Sequence, residues 1–208
     1  MEAEGPYSVL GEVSFSSGEI TLRAVRPSEI EQIRVWRNNQ TEVLRQSQQI
    51  SKVEQERYFR TYVWPEKTLR TPNQILLSIL SNSQIIGYGG LTNICWENKR
   101  AEVSFLLEPV REEDPKIKRS IFTFFLARLF EIGFVSLGLN RIFTETYAFR
   151  GAHISMIENA GFVREGTMRD HVQTKRGATD SIVHGILARD WKEQCLREPK
   201  SLSPAVQE

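Results

Sequence analysis

Three apolar runs follow one another in the middle of the chain, separated only by short polar turns. They read "NQILLSILS", "IIGYGGLTNICW" and "AEVSFLLEP", with "NSQ" and "ENKR" between them. Apolar runs of this length, bounded by turn residues, are typical of strands. The stretch therefore predicts an antiparallel three-stranded meander, and the rest of the chain has to pack around it.

Helical patterns lie on both sides of this meander. A short strand at "ITLRA" breaks at Pro27, and Ser28 and Ser51 are good N-terminal caps for two helices. Glu54 follows Ser51 by three residues, which is the spacing of a capping box. After the meander, residues 116–137 carry only a narrow polar stripe, so we expect a long and mostly buried helix.

The C-terminal part of the chain returns to strands. "NRIFTETYAF" is a predicted strand, "GAHISMIENA" is a short helix ended by Gly161, and the following stretch is a hairpin that turns at "KRG". Elements in this order predict an α/β chain, with a mixed sheet covered by helices on both faces.

Length and composition narrow the class of protein. A chain of 208 residues favours one domain, which we place at 18–193, between a flexible N-terminal extension (1–17) and a flexible C-terminal tail (194–208). The net charge of +1 gives no overall field that would attract nucleic acid or a membrane. We find no membrane span, no signal peptide, no metal-type cysteine spacing and no disulfide scaffold. We therefore expect a cytoplasmic protein without a bound metal.

Six short motifs occur in an order that resembles the GNAT superfamily of acyl-CoA-dependent N-acyltransferases, particularly its branch related to the ribosomal-protein acetyltransferases. They are "VWRNN", "IIGYGGL", "RAEVSFLLEP", "LGLNRI", "SMIENAGFVREGTMRD" and "DSIVHGILARDW". The resemblance runs from about Ile20 to Trp191. It implies the GNAT fold, with a mixed, mostly antiparallel sheet of about seven strands. The strands holding "SFLLEP" and "TETYAF" would be parallel neighbours that splay apart.

Acetyl-CoA is the cofactor that this resemblance implies, with its pantetheine arm in the gap between the splayed strands. Backbone groups of Phe105, Leu106 and Leu107 would bind the arm from one strand. Arg150 and His153, just beyond the other strand, would contact the cofactor from the opposite side.

The expected pyrophosphate site departs from the family pattern. Family members carry a G-x-G/A turn before the long helix, whereas Lys118 and Ser120 stand at the glycine positions of this chain. Close backbone approach to a phosphate is harder without glycine. The side chains of Lys116, Lys118, Arg119 and Ser120 are the alternative phosphate ligands, and a solvated basic first turn is the competing interpretation.

Transfer of an acyl group to an amine needs a proton acceptor, because an ammonium has no lone pair. Alternation in "AEVSFLL" places Glu102 inside a strand, where a carboxylate is costly unless it has a partner or a task. In several members of the superfamily, a glutamate at the matching position is the general base. The competing interpretation is a structural ion pair between Glu102 and Arg100, Arg23 or Arg141.

Two more candidate catalytic residues share one face of the later strand. Glu145 is an alternative base, and Tyr147 could protonate the departing thiolate or bind substrate. Many family members carry an acidic tyrosine in the following short helix, where this chain has Ile157, so the proton donor stays open. We expect His171 and His184, on the terminal hairpin, to be structural rather than catalytic.

The first helix is the expected side of the acceptor site. Trp36, Arg37 and Asn38 are the predicted substrate-binding residues, with a position in the core as the alternative for Trp36. The motifs look most like family members that act on amino sugars, which implies a nucleotide-linked amino sugar as the acceptor. A protein N-terminus or another small amine is the rival acceptor, and a homodimer is one implied assembly. A non-catalytic GNAT-fold binding module is the alternative from a different class.

Overall fold

The computed structural model describes residues 3–11, 14–46, 48–175 and 177–197, and a single sheet organises them. The strands are β1 (Phe15–Ser17), β2 (Ile20–Ala24), β3 (Ile75–Ser81), β4 (Gln84–Cys95), β5 (Arg100–Leu107), β6 (Arg141–Tyr147), β7 (Val163–Thr174) and β8 (Gly177–Leu187). The helices are α1 (Ile30–Asn39), α2 (Lys52–Tyr58), α3 (Pro109–Glu112), α4 (Pro115–Phe130), α5 (Gly151–Asn159) and α6 (Ala188–Arg197). Short π-helical turns, Phe59–Val63 and Glu131–Ser136, prolong α2 and α4.

The strand order across the sheet is β1-β2-β3-β4-β5-β6-β8-β7. Neighbours are antiparallel except for β5 and β6, which run parallel. The predicted meander is β3-β4-β5, and the predicted hairpin is β7-β8. The mixed α/β GNAT fold expected from the sequence is thus confirmed, with eight strands where about seven were expected. The extra strand is β1, which returns on β2 through Gly18 at φ +57.

Two cores fill the two sides of the sheet. The larger core contains the buried faces of α4 and α5, including Phe125, Leu129 and Ile157. The smaller core contains the buried faces of α1 and α2 with its π-helical extension, including Ile33 and Phe59. The narrow polar stripe of the long helix correctly predicted its burial.

Turn glycines end two helical segments at the predicted residues. Gly138 follows the π-helical end of α4 with φ +65, and Gly161 follows α5 with φ +93. L residues rarely adopt this left-handed conformation, whereas glycine does so at little cost. A side chain at Gly161 would also require the flexible end of the Gln194 side chain in α6 to move.

Parts of both predicted flexible ends are packed against the domain. Tyr7 is 1% exposed, and its hydroxyl oxygen accepts a hydrogen bond from the backbone N–H of Leu76 at 3.0 Å. Lys67 is buried and donates to the carbonyl oxygens of Ala3 at 2.6 Å, Gly5 at 2.9 Å and Val25 at 2.6 Å.

The segment predicted as the start of a flexible tail, 194–197, is the last turn of α6. Residues 198–208 lie outside the described residues, and so do 1–2 and 12–13 of the extension. The domain limits 18–193 stay a prediction. In the described ranges, the helices are too short or too polar to cross a lipid bilayer.

Candidate active site

β5 and β6 are paired only at their N-terminal ends. Residues Arg100 to Glu102 pair with Arg141 to Phe143, but the strands themselves continue to Leu107 and Tyr147. A cleft of about 220 Å³ opens beyond the last pair. Val103–Phe105 line it on one side and Thr144–Tyr147 on the other. The predicted splay is confirmed, and it begins immediately after Glu102.

Glu102 lies at the point where the strands part. The residue is 6% exposed and lines the cleft. Its Oε2 accepts a hydrogen bond from Nδ2 of Asn93 at 2.7 Å, and its Oε1 accepts one from the guanidinium of Arg45. This carboxylate therefore faces two donors and keeps its position with both oxygens engaged.

The partner of Glu102 differs from the three arginines considered from the sequence. Arg23 pairs instead with Glu29, and Arg141 pairs with Glu165. Arg45 is 57 residues away from Glu102 along the chain, in the loop that follows α1. This loop carries no periodic pattern of apolar residues, so the sequence could not indicate that one of its side chains contacts Glu102.

Asn93 owes its contact with Glu102 to an irregularity in β4. The pairing of β4 with β5 shifts register between Thr92 and Cys95, and Asn93 adopts φ +50. A bulge of this kind turns a side chain out of its regular direction, and asparagine tolerates the left-handed conformation better than most residues. Sequence reasoning missed Asn93. The available signal was an asparagine inside an otherwise apolar strand.

Glu145 and Tyr147 lie across the cleft from β5. Oε2 of Glu145 is 3.4 Å from Nη2 of Arg45, so one guanidinium contacts both glutamates. Oε1 of Glu145 is buried without a hydrogen-bond partner among the described residues, and Nε2 of His171 lies 3.6 Å from this oxygen. Burial raises the pKa of Tyr147, whose hydroxyl donates to the backbone oxygen of Leu44 at 3.3 Å.

The outer end of the cleft carries a charged cluster. Glu112 pairs with Lys118, and its Oε1 is 3.4 Å from Nη2 of Arg150, which lines the cleft. Burial lowers the pKa of Arg150, while the charge of Glu112 opposes that effect. Asp114 caps α4 and accepts from the backbone N–H groups of residues 116 and 117 at 2.9 and 3.0 Å. The carboxylates of Glu112 and Asp114 therefore already contact the basic side chains and backbone N–H groups that a bound anion would contact.

The other predicted phosphate ligands lie apart from this cluster. Lys116, Arg119 and Ser120 are exposed on the first two turns of α4. Of the four side chains predicted to bind phosphate, only Lys118 is held close to Arg150 through a shared carboxylate.

His153 is buried at the inner wall of the cleft. It is 8% exposed, and its ring centroid is 5.0 Å from that of Phe122. Burial lowers the pKa of His153 well below its usual value, and the charges of Arg150 and Lys118 lower it further. Its Nδ1 makes no hydrogen bond to any described residue. His184 is fully buried elsewhere, with Nε2 3.3 Å from Oε1 of Glu158.

Phe105 lines the cleft, whereas the side chains of Leu106 and Leu107 do not. Leu106 packs into the smaller core and Leu107 into the larger one. The alternation predicted for β5 is therefore present, and the two leucines have only backbone groups to offer a ligand.

Trp36, Arg37 and Asn38 have three different positions. Trp36 is 4% exposed and belongs to the smaller core, which was the alternative considered for it. Arg37 lines the cleft. Asn38 fixes the loop after α1, because its Nδ2 donates to the backbone oxygen of Ile50 and its Oδ1 accepts from the N–H of the same residue, both at 2.9 Å.

Two further cavities adjoin the cleft. The hairpin cavity, about 510 Å³, lies between the loop Thr41–Gln46, the end of β6 and residues His171–Lys175. The helix cavity, about 450 Å³, is bordered by Arg37, Arg45, Tyr58 and glutamines of the loop between α1 and α2. Arg45 lines the cleft and both of these cavities.

Comparison with known families agrees with this architecture. Residues 22–183 match the family model described as an acetyltransferase (GNAT) domain. The chain belongs to the GNAT acetyltransferase family. It is 27% identical over 119 residues to an uncharacterized N-acetyltransferase, p20, of Bacillus licheniformis, covering 57% of this chain and 64% of p20, just under two thirds. It is 23% identical over 181 residues to the SPbeta prophage-derived uncharacterized N-acetyltransferase YokL of Bacillus subtilis (strain 168), covering 86% of this chain and 97% of YokL.

Solved structures share the fold of this GNAT chain at low sequence identity. A spermidine N-acetyltransferase from Vibrio cholerae, in complex with CoA and spermine, superimposes with a TM-score of 0.74 at 18% identity, covering 85% of this chain and 99% of that one. A dodecameric structure of the spermidine N-acetyltransferase from Vibrio cholerae matches with a TM-score of 0.71 at 18% identity, covering 86% of this chain and 99% of that one. At this identity the likeness establishes the fold alone, and the branch within the family stays a prediction.

Proposed function

We propose that this protein transfers the acetyl group of acetyl-CoA to the primary amine of a small acceptor, by direct attack and without a covalent enzyme intermediate. The observation that carries the proposal is the cleft between β5 and β6, which opens beside the buried carboxylate of Glu102. Two strands that stop pairing offer backbone groups to an extended ligand. A proton acceptor at the start of that opening is what the transfer requires.

The cleft fits the pantetheine arm of acetyl-CoA better than the neighbouring surface fits its phosphates. Val103–Phe105 and Thr144–Tyr147 border this opening, where β5 and β6 no longer pair with each other. The first turn of α4 offers its amides to Asp114 instead. We infer that phosphates would be bound by side chains, first of all Lys118 and Arg150, after Glu112 has released them.

Acetyl-CoA supplies the acetyl group as a thioester. Glu102 takes one proton from the attacking amine, directly or through water, so that the nitrogen lone pair can form the new bond to carbon. Tyr147 gives one proton to the sulfur that leaves when the carbon–sulfur bond breaks, and the second proton that the nitrogen loses on forming the amide restores the Tyr147 hydroxyl. The products are the acetylated amine, the thiol of CoA and one proton on Glu102, which then passes to water. An ordinary phenol is already protonated at neutral pH, and burial raises the pKa of Tyr147 further, so the proton is present when the step begins. Glu145 stays the alternative base, since it faces the same cleft.

The acceptor is a small amine in this proposal, and two kinds of amine have support. A nucleotide-linked amino sugar is favoured by the sequence motifs, and the helix cavity is lined by Gln48, Gln49 and Tyr58, which are residue types that give a ligand hydrogen bonds and an aromatic surface. A polyamine is favoured by two glutamates, Glu102 and Glu145, that converge on one position.

The proposal is tested by thiol release. Purified protein is mixed with acetyl-CoA and a panel of diamines, polyamines, nucleotide-linked amino sugars and amino-terminal peptides, and free CoA thiol is detected by its colour reaction. We expect release with at least one primary amine and none with its N,N-dimethyl analogue. If calorimetry detects CoA binding but no amine releases thiol, the non-catalytic binding module becomes the better account. A homodimer and a cytoplasmic location stay predictions of the sequence.

A further inference from the structure

Arg45 occupies a position that the proposed reaction leaves unexplained. It is the shared border of the cleft, the hairpin cavity and the helix cavity. Arg45 therefore lies where each outer cavity meets the cleft that contains Glu102.

The guanidinium of Arg45 contacts two carboxylates that face each other across the cleft. It donates to Oε1 of Glu102, and its Nη2 is 3.4 Å from Oε2 of Glu145. The glutamate side chains are only 8% and 16% exposed. Two carboxylates at this depth repel each other unless a cation lies between them. Arg45 therefore supplies the positive charge that this pair needs.

Arg45 itself is much less buried than its partners. Its side chain is 49% exposed and sits on the loop between α1 and α2, which Asn38 holds in place through Ile50. The side chain can therefore turn into water while the loop stays fixed. An ion pair of this kind, with one solvated member, is weak enough to be exchanged for another cation.

We propose that Arg45 occupies the subsite of the acceptor's ammonium group, and that a cationic acceptor reaches Glu102 by displacing it. This inference rests on the proposed function and names the charge of its substrate. The entering ammonium takes over the contacts with Glu102 and Glu145, and Glu102 is then in contact with the nitrogen whose proton it must accept. A second ammonium on the same acceptor favours exchange, because it can stay near Glu145 while the first reacts.

The competing role for Arg45 is a clamp that only holds Glu102 in position. The two roles predict opposite effects of removing the guanidinium. A displaced cation competes with the acceptor, so its removal strengthens acceptor binding. A clamp does not compete, so its removal leaves acceptor binding unchanged or weakens it.

The test is calorimetry with 1,4-diaminobutane in the absence of acetyl-CoA. We expect Arg45→Ala to bind this diammonium probe about tenfold or more tightly than the wild type, equivalent to about 1.4 kcal/mol. Arg45→Gln, which keeps hydrogen-bond donors near Glu102 but carries no charge, should show the same direction. Arg45→Lys should bind like the wild type, since it keeps the cation. Adding Glu145→Gln to Arg45→Ala should remove most of the gain.

Lys175→Ala is the matched control, because it removes one positive charge from the border of the hairpin cavity without touching either glutamate. It should change probe binding by less than about threefold, as expected for a screened charge. Equal or weaker binding by both Arg45→Ala and Arg45→Gln would overturn the inference, and so would an equal gain in Lys175→Ala. Thiol release is measured separately. If no variant releases thiol but Arg45→Ala binds the probe more tightly, the proposed reaction is wrong, whereas the inference that Arg45 occupies an ammonium subsite is supported.

Discussion

Replacement of Glu102 by glutamine separates a catalytic carboxylate from a structural one. Both partners of this side chain, Nδ2 of Asn93 and the guanidinium of Arg45, are donors. Glutamine has one acceptor oxygen and one NH₂ group, so one of the two contacts becomes donor against donor. Because Arg45 is half exposed and can turn into water, the cost in unfolding free energy should stay near 1 kcal/mol.

The expected kinetic loss is larger than this cost. A positioned general base contributes about 10²- to 10⁴-fold, which corresponds to roughly 3–5 kcal/mol in the activation free energy. Glu102→Gln should therefore lower kcat by about 10²- to 10⁴-fold, while calorimetry with CoA shows little change in affinity. Thiol release with the acceptor found in the panel gives kcat, and urea unfolding gives the stability.

Glu145→Gln is the matched control for this measurement. It removes the other carboxylate next to Arg45, but from a contact of 3.4 Å rather than a close hydrogen bond. If Glu102 is the base, this variant should keep kcat within about tenfold of the wild type. A Glu102→Gln protein with normal kcat would refute the reasoning, and a loss confined to Glu145→Gln would transfer the role of base to that residue.

Three other predictions test the surroundings of the site. Glu112→Gln should release Lys118 and tighten CoA binding by up to about fivefold in calorimetry, the range expected for a partly exposed ion pair; weaker binding would contradict the view that Glu112 competes with phosphate. Trp36→Ala should lower the free energy of unfolding by about 3–5 kcal/mol, as measured by urea unfolding. The neighbouring Val35 is 37% exposed, so Val35→Ala should cost less than about 0.5 kcal/mol. A stable Trp36→Ala protein with a raised acceptor KM would instead favour the predicted contact with substrate. The pKa of His153 in the folded chain is far below its usual 6.5, so the unfolded chain binds a proton at a higher pH than the folded chain does. The free energy of unfolding should therefore fall as pH drops below about 6.5, by at most about 1.4 kcal/mol per pH unit. An equally steep fall in His153→Gln would show that other groups cause it.

Local patterns predicted the framework of the site well. Tight turns between apolar runs indicated the order β3-β4-β5, and alternation in β5 put Glu102 on the face opposite its apolar neighbours. Both features follow from contacts between residues close in sequence, and such contacts leave a periodic signal. The family resemblance then added the splay of β5 and β6, which no periodicity in the chain could indicate.

The surroundings of Glu102 could not be predicted in the same way. Arg45 comes from a polar loop without periodicity, and Asn93 depends on a bulge that one residue in a left-handed conformation produces. β1 has only three residues, and α6 follows β8 without a turn residue to announce it. Contacts set by loop geometry and by side chains far apart in sequence become visible only when the fold is known.

The buried ammonium of Lys67 ties the N-terminal segment to the rest of the chain. Two of its three carbonyl acceptors belong to Ala3 and Gly5, and burial already lowers its pKa to about 8. Trimming the chain before Gly11 would leave the charge with one acceptor and would also take away Tyr7, which fills the larger core. An expression variant shortened there should therefore be harder to produce than one extended by an added tag.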